Sequence, residues 1–400
     1  MSFQNAGYGR RAPPGVPFSV SPSAASQVTI PRPNISMSSS RAVLATALAA
    51  WFATAACGEP PTRRQDIAIP GAGVPLAGTV VGPASGGGHP AVVLLHGSGP
   101  DGRENPYYWM LADQFVRRGF VVLVYDKRGS GGSGGDWRRV PFSALIDDAA
   151  AAVRELRRHP WVDSARVGVW GGSEGAVIAP EVALREGLAF VAMQSGPGVT
   201  FAEQNLHQTE LQVRAMTADP EERRAAMRLQ RLKHRYARSG EGWAEYQAAL
   251  RSAAGTPYAG LAGPTSPDDW WWAWYRTKMG YSPVPALERL GVAVLAVWGD
   301  QDVLVPVEAS RAAVASARRR VGHPGDSLLV VEGADHVLQV NGLRGVFRRG
   351  LRNRPVHLGL TADWAARQVT YPLVRMQATA GGSRAAPRVE AVDSAGGASR

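Results

Sequence analysis

Residues 166–179 read RVGVWGGSEGAVIA. The apolar run before the glycines predicts a strand, and the small apolar residues after Gly175 predict a helix. Ser173 lies between Gly171 and Gly175 in a G-x-S-x-G pattern, a sharp turn that requires neighbours without side chains. A serine on this turn is a candidate nucleophile, and the amide of Glu174 is a candidate oxyanion donor. A plain glycine-rich loop is the alternative interpretation of the pattern.

Composition is that of an ordinary globular protein: 400 residues, 45% hydrophobic and 19% charged. This length fits one large α/β domain with an insertion. The formal net charge of +11 comes mainly from arginine, in runs at 223–238, 318–320 and 344–354. These runs lie on predicted helical faces, and no nucleic-acid-binding signature accompanies them, so we expect no nucleic-acid partner.

The sequence of the N-terminal region is typical of segments that are cleaved or disordered rather than part of a folded domain. Residues 1–36 are rich in Ser, Pro and Gly and are expected to be disordered or absent from the mature protein. Residues 37–57 combine a short basic start, an alanine-rich run and Cys57, which resembles a bacterial lipoprotein signal with a lipid-modified cysteine. We therefore expect a membrane-anchored protein of the bacterial cell envelope. A core helix, or a cytoplasmic protein with a misassigned start, is the alternative.

Between the linker at 58–65 and the C-terminus, strands and helices alternate. This alternation predicts a mostly parallel sheet flanked by helices, with a hairpin at its start. The lone cysteine excludes an internal disulfide framework. The predicted strands are 66–69, 76–81, 91–95, 120–125, 166–170, 189–193, 292–298 and 327–331, and the predicted helices include 109–118, 142–159 and 362–376.

Two glycine-rich turns follow predicted strands before the G-x-S-x-G turn. Residues 96–100 read HGSGP, where Ser98, or alternatively Gly99, is a candidate backbone oxyanion donor. His96 is interpreted as a turn residue rather than a base. Residues 126–133 read DKRGSGGS and lack the Gly-Lys-Ser/Thr ending of a phosphate-binding loop.

The motifs at 96–100, 126–131 and 171–175, in this order, resemble the α/β-hydrolase superfamily. They are most similar to bacterial serine esterases of the prolyl-oligopeptidase-like and dienelactone-hydrolase-like branches. The similarity covers residues 66–372. It implies an α/β-hydrolase fold with a mostly parallel central sheet, a helical cap and a Ser-His-Asp triad.

The chain order in this fold is serine, acid, histidine. Asp300 and Asp302 both lie in the loop after the second-to-last predicted strand. Asp302 has more room to reach a histidine, and the resemblance also favours it. Of His323, His336 and His357, only His336 falls just past the last predicted strand, where the superfamily keeps its base. The predicted catalytic residues are therefore Ser173, Asp302 and His336.

Residues 199–285 interrupt the alternation and predict a mainly helical cap. A helix start at Asp219-Pro220-Glu221-Glu222 supports this. The aromatic run at 270–275 offers a surface for an acyl or aryl group, or alternatively anchors the cap to the core. The hydrolase domain is expected to span 66–376, and residues 377–400 are an expected disordered tail.

Taken together, these features predict a serine carboxylesterase that cleaves small or medium acyl esters through an acyl-enzyme. Its partner is a small-molecule ester. No cofactor is required, and no metal-ligand spacing is present in the sequence. A peptidase or thioesterase of the same fold is one alternative. The other is a lipid-anchored binding protein without catalytic activity. Nothing in the sequence predicts the oligomeric state.

Overall fold

A computed structural model describes residues 61–340 and 356–380. The strands in this part of the chain are β1 (Thr62–Pro70), β2 (Pro75–Pro83), β3 (His89–Leu95), β4 (Val121–Tyr125), β5 (Val162–Gly172), β6 (Phe190–Gln194), β7 (Ala293–Gly299) and β8 (Ser327–Val331). They form one sheet in the order β1-β2-β4-β3-β5-β6-β7-β8. β2 pairs antiparallel with β1 and β4, and the other neighbours are parallel. The predicted hairpin and mostly parallel sheet are confirmed.

Helices cover both faces of this sheet. They are α1 (Pro106–Val116), α2 (Phe142–Arg158), α3 (Glu174–Glu186), α4 (Phe201–Met216), α5 (Pro220–Ser239), α6 (Trp243–Ala253), α7 (Trp270–Lys278), α8 (Val284–Leu287), α9 (Val307–Val321) and α10 (Val356–Ala380). One apolar core lies between the sheet and α2, α3, α8 and α9, and the other lies between the sheet and α1 and α10. Central strands are continuous apolar runs because each face of the sheet packs against helices.

The insertion predicted for residues 199–285 is helical and joins β6 to β7. It has an apolar core of its own, which includes Leu229, Tyr246 and Trp272. α5 begins where the sequence indicated, since the Asp219 side chain accepts the Glu221 amide at 2.8 Å. We refer to helices α4–α7 as the cap.

The start of the domain differs from the expected start. β1 begins at Thr62, inside the expected linker at 58–65, because its residues pair with β2 along its whole length. These pairings satisfy backbone groups that a linker would leave to water.

Two helix starts also differ from the expected ones. α1 begins at Pro106, three residues early, because the Asn105 side chain caps it by accepting the Tyr107 amide at 3.0 Å. α10 begins at Val356 instead of 362 and continues to Ala380, so the first residues of the expected tail are helical.

Arg318, from the basic run at 318–320, lies on helix α9, as the sequence predicted. Its side chain is buried and donates to the Asp326 carboxylate at 2.9 and 3.0 Å. It also donates to the carbonyls of Leu287 and Leu290 at 2.9 and 2.6 Å. This arginine therefore ties α9 to the segment that leads into β7.

Within the described ranges, no helix has the length and apolar content needed to cross a membrane. Cys57 and the predicted signal segment at 37–57 lie outside those ranges. Lipid anchoring and location in the cell envelope therefore stay predictions.

The tight packing of β5 against β6 generates a prediction for Gly168. A Cβ at this position would lie 2.3 Å from ring atoms of Phe190, so Gly168→Ala should lower the free energy of unfolding by about 1–3 kcal/mol. Urea denaturation measures this. Gly291→Ala is the control, because a Cβ there meets no atom within 4 Å. Equal urea concentrations at the unfolding midpoint for Gly168→Ala and Gly291→Ala would contradict the prediction.

Candidate active site

The turn between β5 and α3 forces Ser173 into a strained backbone conformation. Its φ is 53° and its ψ is −112°, a region that residues with side chains rarely adopt. A Cβ on Gly171 would lie 2.2 Å from the carbonyl oxygen of Gly175, and one on Gly175 would lie 2.5 Å from that of Leu95. The Ser173 amide donates to the Gln194 carbonyl at 2.8 Å. The strand-turn-helix predicted from the sequence is therefore present, with the serine at its apex.

Asp302 and His336 are in direct contact. The His336 Nδ1 atom lies 2.7 Å from the Asp302 Oδ2 atom. The other carboxylate oxygen accepts the amides of Leu304 and Val305 at 2.8 and 3.1 Å. The Asp302 side chain is fully buried, whereas the ring of His336 is 20% exposed. A carboxylate on Nδ1 fixes the ring orientation and leaves Nε2 as the free nitrogen.

The alternative acid and bases have other partners. Asp300 is exposed, and its carboxylate accepts the Gly333 amide at 2.7 Å. The His323 ring accepts a backbone amide two residues further on. His357 is buried, with its Nε2 atom 3.3 Å from the Tyr107 hydroxyl. None of these three side chains is hydrogen-bonded to Asp302 or His336.

Ser173, Asp302 and His336 all follow strands that end at the same edge of the sheet. Backbone hydrogen bonds join these strand ends: Ser173 to Gln194, Ser195 to Val297 and Gln301 to Ala334. Within the described residues, the only hydrogen-bond partner of the His336 ring is Asp302, so the ring and the Ser173 hydroxyl are not hydrogen-bonded. In hydrolases without bound substrate this contact is often long.

The loop after β3 lies against the Ser173 turn. A Cβ on Gly97 would be 3.8 Å from the Ser173 Cβ atom. The Ser98 hydroxyl donates to the Glu174 Oε2 atom at 3.2 Å. Glu174 is the first residue of α3, where amides have no acceptor within the helix. Both residues predicted to carry the oxyanion donors thus lie next to Ser173 and contact each other.

His96 is a structural residue of the same loop. Its Nε2 atom lies 2.5 Å from the Tyr125 carbonyl oxygen, and the ring is buried. Burial lowers the pKa of His96 to about 4, so the ring is neutral at pH 7.

A buried charge cluster that sequence reasoning missed surrounds Glu174. The Glu174 carboxylate is 1% exposed and is paired with the ammonium groups of Lys127 and Lys278. Burial opposes ionisation of Glu174, but the two ammonium groups outweigh it and lower its pKa to about 2. Lys127 follows β4 inside the DKRGSGGS turn, and Lys278 ends α7 in the cap. No motif in the sequence links these three positions.

The rest of the DKRGSGGS turn is held by structural ion pairs. Arg128 donates to both oxygens of Asp148 at 2.8 and 2.7 Å, and both side chains are buried. Asp126 accepts the Arg103 guanidinium at 2.9 Å and the Gly132 amide at 2.8 Å. These contacts fix the turn that carries Lys127.

The aromatic run of α7 divides between two roles. Trp272 is buried in the cap core, where its indole N–H donates to the Ser266 carbonyl at 2.8 Å. Trp274 faces the Lys278 ammonium, which lies 4.8 Å from its ring centroid, and Phe201 lies 4.4 Å away on the same ammonium. Trp272 therefore anchors the cap, while Trp274 borders the Glu174 cluster.

Comparisons with known proteins agree with this geometry. Residues 88–340 match the sequence profile of the family described as serine aminopeptidase, S33. A stretch of 143 residues is 32% identical to Esterase EstD of Thermotoga maritima and covers 34% of this chain and 33% of that protein. A stretch of 128 residues is 32% identical to Esterase FrsA of Shigella boydii and covers 32% of this chain and 30% of that protein. The matches thus span about a third of the length of these curated relatives.

A similar fold is also found among solved structures. Est1E from Butyrivibrio proteoclasticus with bound ferulic acid superposes with a TM-score of 0.50 at 16% sequence identity. The superposition covers 76% of this chain and 99% of that chain. At this identity the likeness shows the fold alone.

The buried Glu174 carboxylate generates a stability prediction. Glu174→Gln should cost about 3–5 kcal/mol at pH 7, because two buried ammonium groups lose their counter-ion. The folded pKa of Glu174, about 2, lies below the ordinary value of 4.5, so its stabilisation is present above pH 4.5. As the pH falls from 4.5 towards 2, the stability difference between wild type and variant should narrow. Urea denaturation across this range measures it.

The matched control is Glu181→Gln on the same helix. Glu181 is partly exposed and pairs with Arg185 at 2.7 Å, so its loss should cost at most about 1 kcal/mol. Equal losses in the two variants, or a Glu174→Gln deficit that does not depend on pH, would show that the cluster does not act as described.

Proposed function

The chain belongs to the serine aminopeptidase S33 family of hydrolases, and on that premise we propose that it is a serine hydrolase acting on carboxylic esters. The observation that carries this proposal is the 2.7 Å contact between His336 and the buried Asp302, at the same sheet edge as the strained Ser173 turn. The similarity to two proteins named as esterases supports the choice of ester substrates.

In the proposed mechanism the Ser173 hydroxyl attacks the ester carbonyl carbon while the free Nε2 of His336 takes its proton. Asp302 holds Nδ1–H and stabilises the imidazolium that forms. The amides of Glu174 and Ser98 donate to the carbonyl oxygen as it becomes negative. The protonated His336 then gives its proton to the leaving alcohol. A water molecule, activated by the same ring, releases the acid from the acyl-enzyme.

Peptide amides, the alternative that the family description itself raises, are less favoured by the electrostatics of the site. An aminopeptidase must hold the cationic amino terminus of its substrate close to the scissile bond. The Glu174 carboxylate, buried beside Ser173, is already neutralised by two lysines. Like charges placed close together repel, so a cationic group next to this cluster would be bound poorly.

For the acyl group we propose a small or medium chain. Trp274, which is partly exposed, supplies apolar surface next to the loop that carries Ser98, since its ring lies 4.8 Å from the Lys278 ammonium that bonds the Ser98 hydroxyl. A panel of p-nitrophenyl esters from acetate to octanoate, with thioesters and aminoacyl anilides in parallel, ranks the substrates. Faster turnover of the anilides than of the esters would reject ester specificity.

Removal of the nucleophile should abolish turnover. Ser173→Ala should lower kcat for p-nitrophenyl esters by about 10⁶, the size of effect known for a triad serine. The fold should persist, because alanine removes only the hydroxyl. Ser164→Ala, at an exposed position on the same strand, is the control and should retain wild-type kcat. A folded Ser173→Ala variant with more than a few per cent of wild-type turnover would exclude Ser173 as the nucleophile.

The two aspartates provide a matched pair. Asp302→Asn should lower kcat by about 10⁴, because an amide at this position favours the wrong histidine tautomer. Asp300→Asn should act mainly on stability, since the Asp300 carboxylate accepts the Gly333 amide and is not bonded to His336. Steady-state kinetics and thermal melting on both variants separate these effects. A larger loss of kcat in Asp300→Asn than in Asp302→Asn, with both variants melting normally, would show that Asp300 is the catalytic acid and Asp302 the structural one.

A further inference from the structure

The charge cluster at Glu174 is not neutral. It contains one carboxylate and two ammonium groups, and the three side chains are 1%, 7% and 6% exposed for Glu174, Lys127 and Lys278. Among the described residues, neither lysine contacts a second carboxylate. One positive charge is therefore in excess in a buried place, where an uncompensated charge is costly.

This excess charge lies against the groups proposed to bind the oxyanion. Lys127 donates to the Gly97 carbonyl at 2.9 Å, and Lys278 donates to the Ser98 hydroxyl at 3.3 Å. Glu174, which both lysines hold, directly follows Ser173 in the chain. Of the two residues that carry the proposed oxyanion donors, Glu174 belongs to the cluster and Ser98 is hydrogen-bonded to it.

Burial lowers the pKa of Lys278, and the paired Glu174 carboxylate opposes this by favouring the charged ammonium. Its ammonium lies over the rings of Phe201, Trp274 and Phe142, at 4.4, 4.8 and 5.7 Å from their centroids. Ring faces stabilise a cation while excluding water. In such a low-dielectric place a charge acts more strongly on its neighbours than it does in water.

We propose that Lys278 is a positioning residue of the oxyanion site: by giving the Glu174 cluster its excess positive charge, the cap stabilises the negative oxygen that forms above Ser173. The inference rests on the proposed function, because it needs an oxyanion. It goes beyond that function by assigning a catalytic contribution to the cap. The negative charge develops mainly in the transition state, so the excess charge acts on kcat rather than on KM.

The first test is Lys278→Met, which makes the cluster neutral. With p-nitrophenyl butyrate as substrate, kcat should fall about 10- to 100-fold, less than the 10²–10³ lost with a direct oxyanion donor. KM should stay within about twofold, because ground-state binding is untouched. Lys278→Arg should restore most of kcat, since a guanidinium keeps the charge. Arg276→Met, which removes a charge from an exposed position of the same helix, should leave kcat unchanged.

The second test separates net charge from side-chain contact. Glu174→Gln combined with Lys278→Met removes one charge of each sign, so Lys127 retains the positive excess. This double variant should have a higher kcat than Lys278→Met alone. An equal or lower kcat would overturn the role of the net charge. If Lys278→Met is insoluble, Lys278→Gln carries the same expectation, because its side chain is also uncharged and is polar.

The outcomes also distinguish this inference from the proposed function. Wild-type kcat in folded Lys278→Met, with Ser173→Ala inactive, would overturn the role of Lys278 alone. A raised KM and a lowered melting temperature in Lys278→Met, with kcat unchanged, would also overturn the role of Lys278, because they would show that it is purely structural. Turnover that survives in Ser173→Ala would overturn both.

Discussion

The approach of β5 to α3 across two glycines is the constraint on which the rest of the site depends. With a carbonyl oxygen 2.2 Å from where a Gly171 Cβ would be, strand and helix are as close as a backbone permits. Ser173 is the residue with a side chain at the apex of the turn, and this close approach forces it into a strained backbone conformation with a φ of 53°. Packing on both faces of the sheet holds the strain in place. The same geometry buries the next residue, Glu174, beneath the turn.

Burial of Glu174 then creates an electrostatic requirement. A lone carboxylate in this place would become protonated or destabilise the fold, so counter-ions must come from elsewhere. Lys127 comes from the turn after β4, and Lys278 comes from the cap. The sheet, its loops and the inserted helices are therefore joined at one carboxylate. Through Lys278, the cap therefore places a positive charge next to Glu174 and Ser98.

Patterns that are local in sequence predicted their structure well. The apolar strands, the Ser173 turn and the capped start of α5 each follow from neighbouring residues. Features that depend on contacts between distant segments were not predictable. From the sequence, the choice of Asp302 over Asp300 as the acid depended on loop position and family resemblance. The contact that distinguishes them, between Asp302 and His336, forms because β7 pairs with β8 and brings the two loops together. The burial of Lys278 required the cap to be placed on the core, which no motif encodes.

The most direct measurement is the mapping of the covalent adduct formed when the native protein reacts with a fluorophosphonate. Tryptic cleavage after Arg166 and Arg185 yields a peptide of residues 167–185 whose only hydroxyl side chain is that of Ser173. Tandem mass spectrometry should find a single phosphonyl group on this peptide, and none after the protein is unfolded before treatment. An adduct on another peptide, or ester turnover without any adduct, would contradict the assignment of Ser173 as the nucleophile.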